Sequence, residues 1–408
     1  MTVGALQAAL AGTVFAATFL LLAVGRIGGK AIPRGLSALA GGIVTAVLLV
    51  PGGGMPWHLW TLVDWQVILL LAGLMVLAGL AERAGLFAGI RRRLAHLRPA
   101  TSLWVSLALV AATSAALLND AAVVVLVPFL LPTLRRQGIP GVPAVVLMAV
   151  AANVGSLLTP FGNPQDAALA SLAHLGVMDF LRAQGPLVLL GMALLGLASW
   201  RLGRRARPLA EVPAPTPATA QGRPWLLGCV AVFLGGAAAA PTLQVGLGTV
   251  AAIAALLAYA GLRPRLGAEA DRAAWRGLDW NVLALFLGLY LLTAGIPAWL
   301  PPGVLTLSRL SSPAGATAAV AVLSNAVGNV PAILAMTAVD RTWTSQHAQF
   351  LVTVSTLGGA LLLTGSAASL LAADQARREG VEVRFGAFLV EAVPWVLPLL
   401  VVGAWLNW

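Results

Sequence analysis

The residues in this chain best suited to chemistry stand where a membrane helix rarely tolerates them. Asn153, Thr159, Asn163 and Asp166 lie within the stretch Ala151-Ala-Asn-Val-Gly-Ser-Leu-Leu-Thr-Pro-Phe-Gly-Asn-Pro-Gln-Asp166, about four helical turns long and flanked by Ala, Val and Leu. Pro160 and Pro164 each remove a backbone donor, and Gly155 and Gly162 loosen the chain around them. In lipid the groups freed by such a break cost several kcal/mol each unless protein or a water-filled cavity satisfies them. A break there points to a lined site, with a Pro-kinked structural helix as the plain alternative. Two acids, Asp120 and Asp166, fall at predicted membrane depth, which makes both candidates for carrying a proton or ligating a cation. Capping of its own helix is the structural alternative for each. The four histidines, His58, His96, His174 and His347, fall in loops or at interfaces and do not suggest a metal site.

Composition places these residues in a membrane. Hydrophobic residues make up 59% of the 408, charged residues 10%, and the mean hydropathy is +0.91. That describes an all-α polytopic membrane protein with room for about ten spans of about 20 residues. The single cysteine, Cys229, excludes a disulfide framework. The net charge of +11 does not indicate a nucleic-acid partner, because the basic residues sit in separate clusters between apolar runs. The first apolar segment, about residues 4–24, has no basic region before it and reads as a retained span.

The basic clusters set an orientation. Loops around Arg26–Arg34, Arg83–Arg98, Arg201–Arg207, Arg263–Arg276 and Arg377–Arg384 read as cytoplasmic, as does the Pro/Ala/Thr-rich linker over residues 208–223. Both termini then fall outside, with Arg182, Arg309 and Arg341 the basic residues left there. The run 103–134 has basic residues at both ends and Asn119-Asp120 near its midpoint. It reads as a hairpin that enters and returns, two full spans being the alternative. The stretch described first lies in a broken element over about 142–173. The His174–Asp179 segment after it reads as an external loop, and the next span as beginning near Pro186.

After the linker the pattern starts again. Asp279-Trp280 opens a span as Asp64-Trp65 did, and a second hairpin over about 313–338 carries Ser324-Asn325 and Asn329-Val-Pro331 near its tip. A second broken element over about 349–375 contains Thr364-Gly-Ser366. Residues 1–207 and 224–408 thus read as two repeats, inverted because the first Asp-Trp falls outside and the second inside. Inverted repeats whose broken helices meet near the midplane mark secondary transporters. Helix N-termini meeting there can hold an anion or a neutral oxyacid without any basic side chain.

Asn119-Asp120, Asn153-Val-Gly155 with Thr159-Pro-Phe-Gly-Asn-Pro164, and Ser324-Asn325 with Asn329-Val-Pro331 resemble the motifs of the ion-transporter superfamily. That clan includes arsenite permeases, sodium/proton antiporters, the pink-eyed dilution proteins and the divalent-anion:sodium symporters. The resemblance covers nearly the whole chain and is nearest to arsenite permease-like or citrate-transporter-like permeases. It implies scaffold and transport subdomains, two re-entrant hairpins, elevator-type movement and, as often in the clan, a homodimer. The symporters' Ser-Asn-Thr tips are replaced here by Leu118-Asn119-Asp120 and Ser324-Asn325-Ala326, so their sodium sites do not carry over.

The expectation is an inner-membrane secondary transporter, not an enzyme, that moves a small inorganic or organic anion or an arsenite-type oxyacid. Its coupling ion would be H⁺ or Na⁺, with Na⁺ placed near Asn119 and Asp120, and no other cofactor is implied. Asn119, Asp120, Asn153, Thr159, Gly162, Asn163, Ser324, Asn325, Asn329, Thr364 and Ser366 would line the site. Asp166 is a second carrier. A sodium/proton antiporter is the alternative, with a channel or an intramembrane aspartyl protease behind it.

Overall fold

A computed structural model describes residues 5–24, 26–27, 30–49, 60–84, 88–116, 118–160, 162–207, 222–243, 245–295, 312–330, 332–333, 336 and 344–408. Apart from a two-residue antiparallel pairing of Arg26–Ile27 with Lys30–Ala31, its regular structure is helical. The 208–221 part of the expected linker and most of the second hairpin's return arm lie outside the described residues. The chain forms two compact units that do not coincide with its sequence halves. Each unit takes segments from both.

The smaller unit comprises residues 25–96 and 212–294. Its helices are α2 (Arg34–Leu49), α3 (Trp65–Arg83), α4 (Ala88–Ala95), α10 (Arg223–Leu243), α11 (Leu247–Leu266), α12 (Ala268–Gly277) and α13 (Trp280–Thr293), whereas α1 (Ala5–Val24) belongs to the other unit. The two Asp-Trp pairs are helix N-caps of the same kind. Asp64 Oδ1 accepts from the backbone N–H of Gln66 and Val67, and Asp279 Oδ1 from those of Asn281 and Val282. The residue after each tryptophan then ties its helix to a parallel neighbour. Gln66 Oε1 accepts from the Thr249 N–H of α11, and Asn281 Oδ1 from the Gly35 N–H of α2. The caps lie at opposite ends of this unit. Val63 packs with Ala46 and Leu291, late in α2 and α13, whereas the Asp279 N–H points at Met75 Sδ, well along α3.

The larger unit comprises residues 1–24, 97–211 and 295–408. Helices α5 (Pro99–Ala116) and α6 (Asn119–Arg136) form the first hairpin, and α7 (Gly141–Ser156) and α8 (Pro164–Ala173) the first broken element. Then come α9 (Val177–Arg205), α14 (Pro313–Val327), the second broken element α15 (Ser345–Gly359) and α16 (Ala367–Arg378), and α17 (Phe385–Asn407). Helix α9 starts nine residues before the expected Pro186, because Gly176 and Asp179 close a cap in which Asp179 Oδ2 accepts the Gly176 N–H. Helices α7 and α15 are buried on nearly every face, α15 with the polar residues Gln349, Thr353, Ser355 and Thr356 among its buried positions.

One end of this unit collects its basic residues. The start of α5 abuts the end of α9, where a side chain at Gly203 would collide with Ala100. Gln137 Nε2 donates to Leu97 O, which closes the open end of the first hairpin. Arg135 donates to Glu379 O at the end of α16. Arg98, Arg135, Arg201, Arg204 and Arg377 therefore share that end.

The hairpin lies against α7 through Gly155. A Cβ there would stand 2.1 Å from Ala111 O and 2.5 Å from Ala111 Cα, both backbone atoms that cannot turn aside. Gly155→Ala should therefore destabilise the protein by about 1–3 kcal/mol, seen as earlier unfolding in detergent. Gly185→Ala in α9, with no atom within 4 Å of the new Cβ, should be neutral or slightly stabilising. Equal stability of the two variants would mean that α5 does not touch α7 at Gly155.

Candidate functional site

Each helix break folds back on the helix before it. After α7 the chain turns through Leu157–Asn163, with the Leu158 N–H on Gly155 O and the Gly162 N–H on Thr159 O. After α15 it turns through Ala360–Ser366, with the Leu361 N–H on Gly358 O and the Gly365 N–H on Leu362 O. The bonds match position for position. Glycine is required at both turns, because a Cβ on Gly162 would meet Ser156 O at 2.1 Å and one on Gly365 would meet Gly359 O at 2.4 Å, both backbone atoms.

The hairpin tips use the carbonyls these turns expose. The Asn119 N–H, first in α6, donates to Gly162 O at 2.9 Å, and the Asn329 N–H donates to Gly365 O at 3.1 Å. A helix N-terminal N–H with no partner in its own helix thus meets a carbonyl outside any helix, and each satisfies the other. Side chains close the remaining ends. Thr159 Oγ1 donates to Ala115 O near the end of α5, Ser114 Oγ to Ala152 O, and Asn325 Nδ2 to both Ala321 O and Gly358 O. Asn163 Nδ2 donates to Ser156 Oγ, and Ser156 Oγ in turn to Asn153 O.

Asn153 joins these parts. Its Oδ1 accepts from Asn119 Nδ2 at 3.3 Å and from Ser366 Oγ at 3.1 Å, while its own Nδ2 is held by Ala149 O. The first hairpin tip, the first broken helix and the second break therefore meet at one amide that is wholly buried. A second tie runs the other way, from Gln165 Nε2 in α8 to Thr356 Oγ1 in α15.

Around these ties lie buried polar atoms with no hydrogen-bond partner: Asn119 Oδ1, Gln165 Oε1, Ser324 Oγ, Asn325 Oδ1, Ser355 Oγ and both oxygens of Asp166. Such atoms cost about 1–3 kcal/mol each if they stay unpaired. The carbonyl and carboxylate oxygens among them accept only, and the two hydroxyls also donate. The cluster therefore suits a cation or proton held among the oxygens. The N-termini of α6, α8 and α16 are the sources of N–H donors for an anion.

The sequence-named residues fall as follows. Asn119, Asp120, Asn153, Asn163, Asp166, Ser324, Asn329 and Ser366 are buried, Gly162 is buried in its turn, and Thr159, Asn325 and Thr364 are half-buried. Asn119, Asn153 and Ser366 are in direct contact, whereas Asn163 bonds within the first break, to Ser156, and Asn325 ties the second hairpin to Gly358 at the end of α15. Asn329 Oδ1 accepts from the Val330 N–H that follows it. Asp120 and Asp166 stand in the first turns of α6 and α8. The Asn163 amide lies beside Asp166, but its hydrogen bond goes to Ser156, and neither Asp166 oxygen is bonded to any group. An aspartyl dyad bonded through its carboxylates is therefore not formed. Ser156, Gln165 and Thr356 were not singled out from sequence. Thr356 was open to discovery, since it stands two residues before Gly358 as Asn153 stands two before Gly155.

The family model for citrate transporters, CitMHS, matches residues 19–348. This chain belongs to the citrate transporter family. It is 31% identical to the inner membrane protein YbiR of Escherichia coli over 82% of this chain and 86% of YbiR. It is 32% identical to the uncharacterized transporter Rv2685 of Mycobacterium tuberculosis over 57% of this chain and 56% of that one. A third relative is the silicon efflux transporter LSI3 of rice, 30% identical over 48% of this chain and 40% of LSI3. The protein is a multi-pass membrane transporter.

The Asn153 junction makes an energetic prediction. Asn153→Ala and Ser366→Ala should each lower stability in detergent, and the double variant should show a coupling of about 0.5–1.5 kcal/mol. Strict additivity would separate the two residues and with them the two breaks.

Proposed function

We propose that this protein is a secondary active transporter of a small anion or neutral oxyacid, coupled to H⁺ or Na⁺. The observation that carries the reading is the Asn153 amide, which holds a hairpin tip and both helix breaks in one buried polar cluster. Such a cluster supplies two kinds of group without a basic side chain. Helix N-termini offer N–H donors to an oxyanion or oxyacid, and the acceptor oxygens of Asn119, Gln165, Asn325 and Asp166 offer ligands to a cation. The family's citrate transporter description favours a carboxylate, and the name of LSI3 favours a small oxyacid. The two substrates share oxygen atoms that accept hydrogen bonds.

The halves of the chain act as inverted repeats in this reading. The larger unit contains the whole cluster and is the moving part of an elevator, and the smaller unit is its scaffold. The end rich in Arg98, Arg135 and Arg204 faces the cytoplasm of a bacterial-type inner membrane, in keeping with the positive-inside rule and with the name of the inner membrane protein YbiR. Single cysteines replacing Arg98 and Arg135, in a Cys229→Ser background, should then be modified from the cytoplasmic side, and one replacing His174 from the outside. Labelling of Arg98→Cys and His174→Cys from the same face would overturn the orientation and the broken crossing between them.

A sodium/proton antiporter with no anion remains a second reading, favoured by the excess of acceptor oxygens. Proteoliposomes separate the two. Uptake of radiolabelled citrate, arsenite or silicic acid should rise several-fold under an inward Na⁺ or H⁺ gradient. Asp120→Asn should abolish gradient-driven accumulation while the protein stays folded, and Asp166→Asn should reduce it. Sodium-dependent proton movement with no uptake of any of the three would select the antiporter. Unchanged coupling in both Asn variants would remove the two acids from the mechanism.

A further inference from the structure

A second polar feature lies away from the Asn153 cluster, within the larger unit and at the end opposite its basic residues. It is a cavity of about 570 Å³ walled by segments from α9, α15 and α17 and by the His174–Leu175 turn, a volume in the range of small-molecule sites. Its charged lining residues are Asp179 and Arg182, with His174 as a third titratable group. Asp179 is engaged in the α9 cap, where its Oδ2 accepts the Gly176 N–H.

The wall nearest the interior is built with unusual care. Gln184 Nε2 donates to both the backbone oxygen and Oε1 of Gln349, and Gln184 Oε1 accepts from Thr353 Oγ1. Asn407 Nδ2 donates to the same Thr353 hydroxyl and to Gly403 O. One side-chain atom of this network is buried without a partner. Gln349 is 6% exposed, its oxygens are held by Gln184, and its Nε2, which carries two N–H donors, has no partner. Gln346, also in the wall, spends its amide on Trp408 O. The donors left to the cavity include the Gln349 amide and the Arg182 guanidinium, with the His174 ring and the Ser345 hydroxyl also in its lining.

We infer that this cavity is an outer binding site for a small water-soluble carboxylate or oxyanion, held by Arg182 and Gln349, where an anion docks before or after passage through the central cluster. A buried amide donor from α15, fixed by its neighbours, and an arginine from α9 in the lining of the same cavity are suited to acceptor oxygens. The inference rests on the anion-transport reading for its role in transport, but not for binding itself.

The test uses the full-length protein in detergent with Cys229→Ser and a single cysteine at Ser345, an exposed residue of the cavity wall. Citrate and sulfate serve as probes, and the rate of modification by a neutral maleimide is measured. Either anion should slow labelling saturably. Arg182→Gln should raise the half-protecting concentration at least about tenfold, the factor expected for loss of a hydrogen bond to a charged group. Gln349→Leu should weaken protection as well. Protection should persist in the Asn153→Ala protein, which separates this cavity from the central cluster, so a transport defect and a docking defect are read independently. Absence of protection by both anions, equal protection in the Arg182 and Gln349 variants, or its loss in Asn153→Ala would each overturn the proposal. So would protection by phosphatidylglycerol in mixed micelles without protection by citrate or sulfate, which would assign the cavity to a lipid head group.

Discussion

The structure depends on one requirement: a helix broken inside a membrane must find partners for the backbone groups that the break releases. Water cannot supply them in hydrocarbon, and each unpaired group would cost several kcal/mol. This protein meets the requirement by bringing a second broken backbone to the first. Gly162 O has lost its helical donor and Asn119 N–H has no helical acceptor, and the two bond to each other. Gly365 O and Asn329 N–H do the same. A hairpin tip and a helix break are thus not two features that happen to be adjacent. Each would be intolerable in lipid without the other.

That pairing explains which residues occupy the contact. Backbone can approach backbone only where side chains are small or absent, so Gly155 faces Ala111 and Gly358 faces Ala321. Donors of modest length then close the remaining carbonyls: Thr159 on Ala115, Asn325 on Gly358, Ser114 on Ala152. Once these are made, some side-chain oxygens, notably those of Asp166 and Oε1 of Gln165, are left without a hydrogen-bond partner. A polar atom that the fold does not need and burial penalises is where the argument for ligand contact is strongest.

Much of this was readable from sequence because breaking a membrane helix takes residues that stand out against Ala, Val and Leu. Gly162, Asn163 and Pro164 announced the first break, and Thr364-Gly-Ser366 the second. The Asp64-Trp65 and Asp279-Trp280 pairs marked the openings of two spans, which the structure shows to be aspartate-capped helix starts. The compact units were not readable as halves of the chain, because each is assembled from pieces of both, and such pairing depends on contacts hundreds of positions apart. The bond from Gly35 N–H to Asn281 Oδ1 is one of these. Gln165 and Thr356 escaped notice for a related reason. Neither breaks a helix, and what distinguishes them is the partner each meets, which composition and spacing do not encode. The start of α9 was placed too late because Pro186 drew the boundary, although proline is tolerated inside that helix and the Gly176–Asp179 cap lies upstream.

The two units also divide the physical work. In the smaller one the close approaches are between bare backbones: Gly42 against Gly288, Gly73 against Ala251, Gly79 against Ala273 and Gly277. Small residues at helix contacts give dispersion and backbone proximity without polar groups that a change of surroundings would strand. Some of its polar bonds, such as Gln66 with Thr249 and Asn281 with Gly35, lie at helix starts, and others, such as Trp225 with Leu257 and Tyr259 with Asp271, lie along α10, α11 and α12. The larger unit accepts the opposite arrangement and gathers unpaired oxygens at its centre. Polar atoms of that kind stay affordable only if they keep one another's company throughout a transport cycle, for separating Asn119 from Gly162 or Asn153 from Ser366 would leave several groups unsatisfied in hydrocarbon at once. In the elevator proposed above, a cluster built this way would travel whole. That is the physical reason to expect movement of the larger unit as a body, in preference to the opening of its hairpins away from its broken helices.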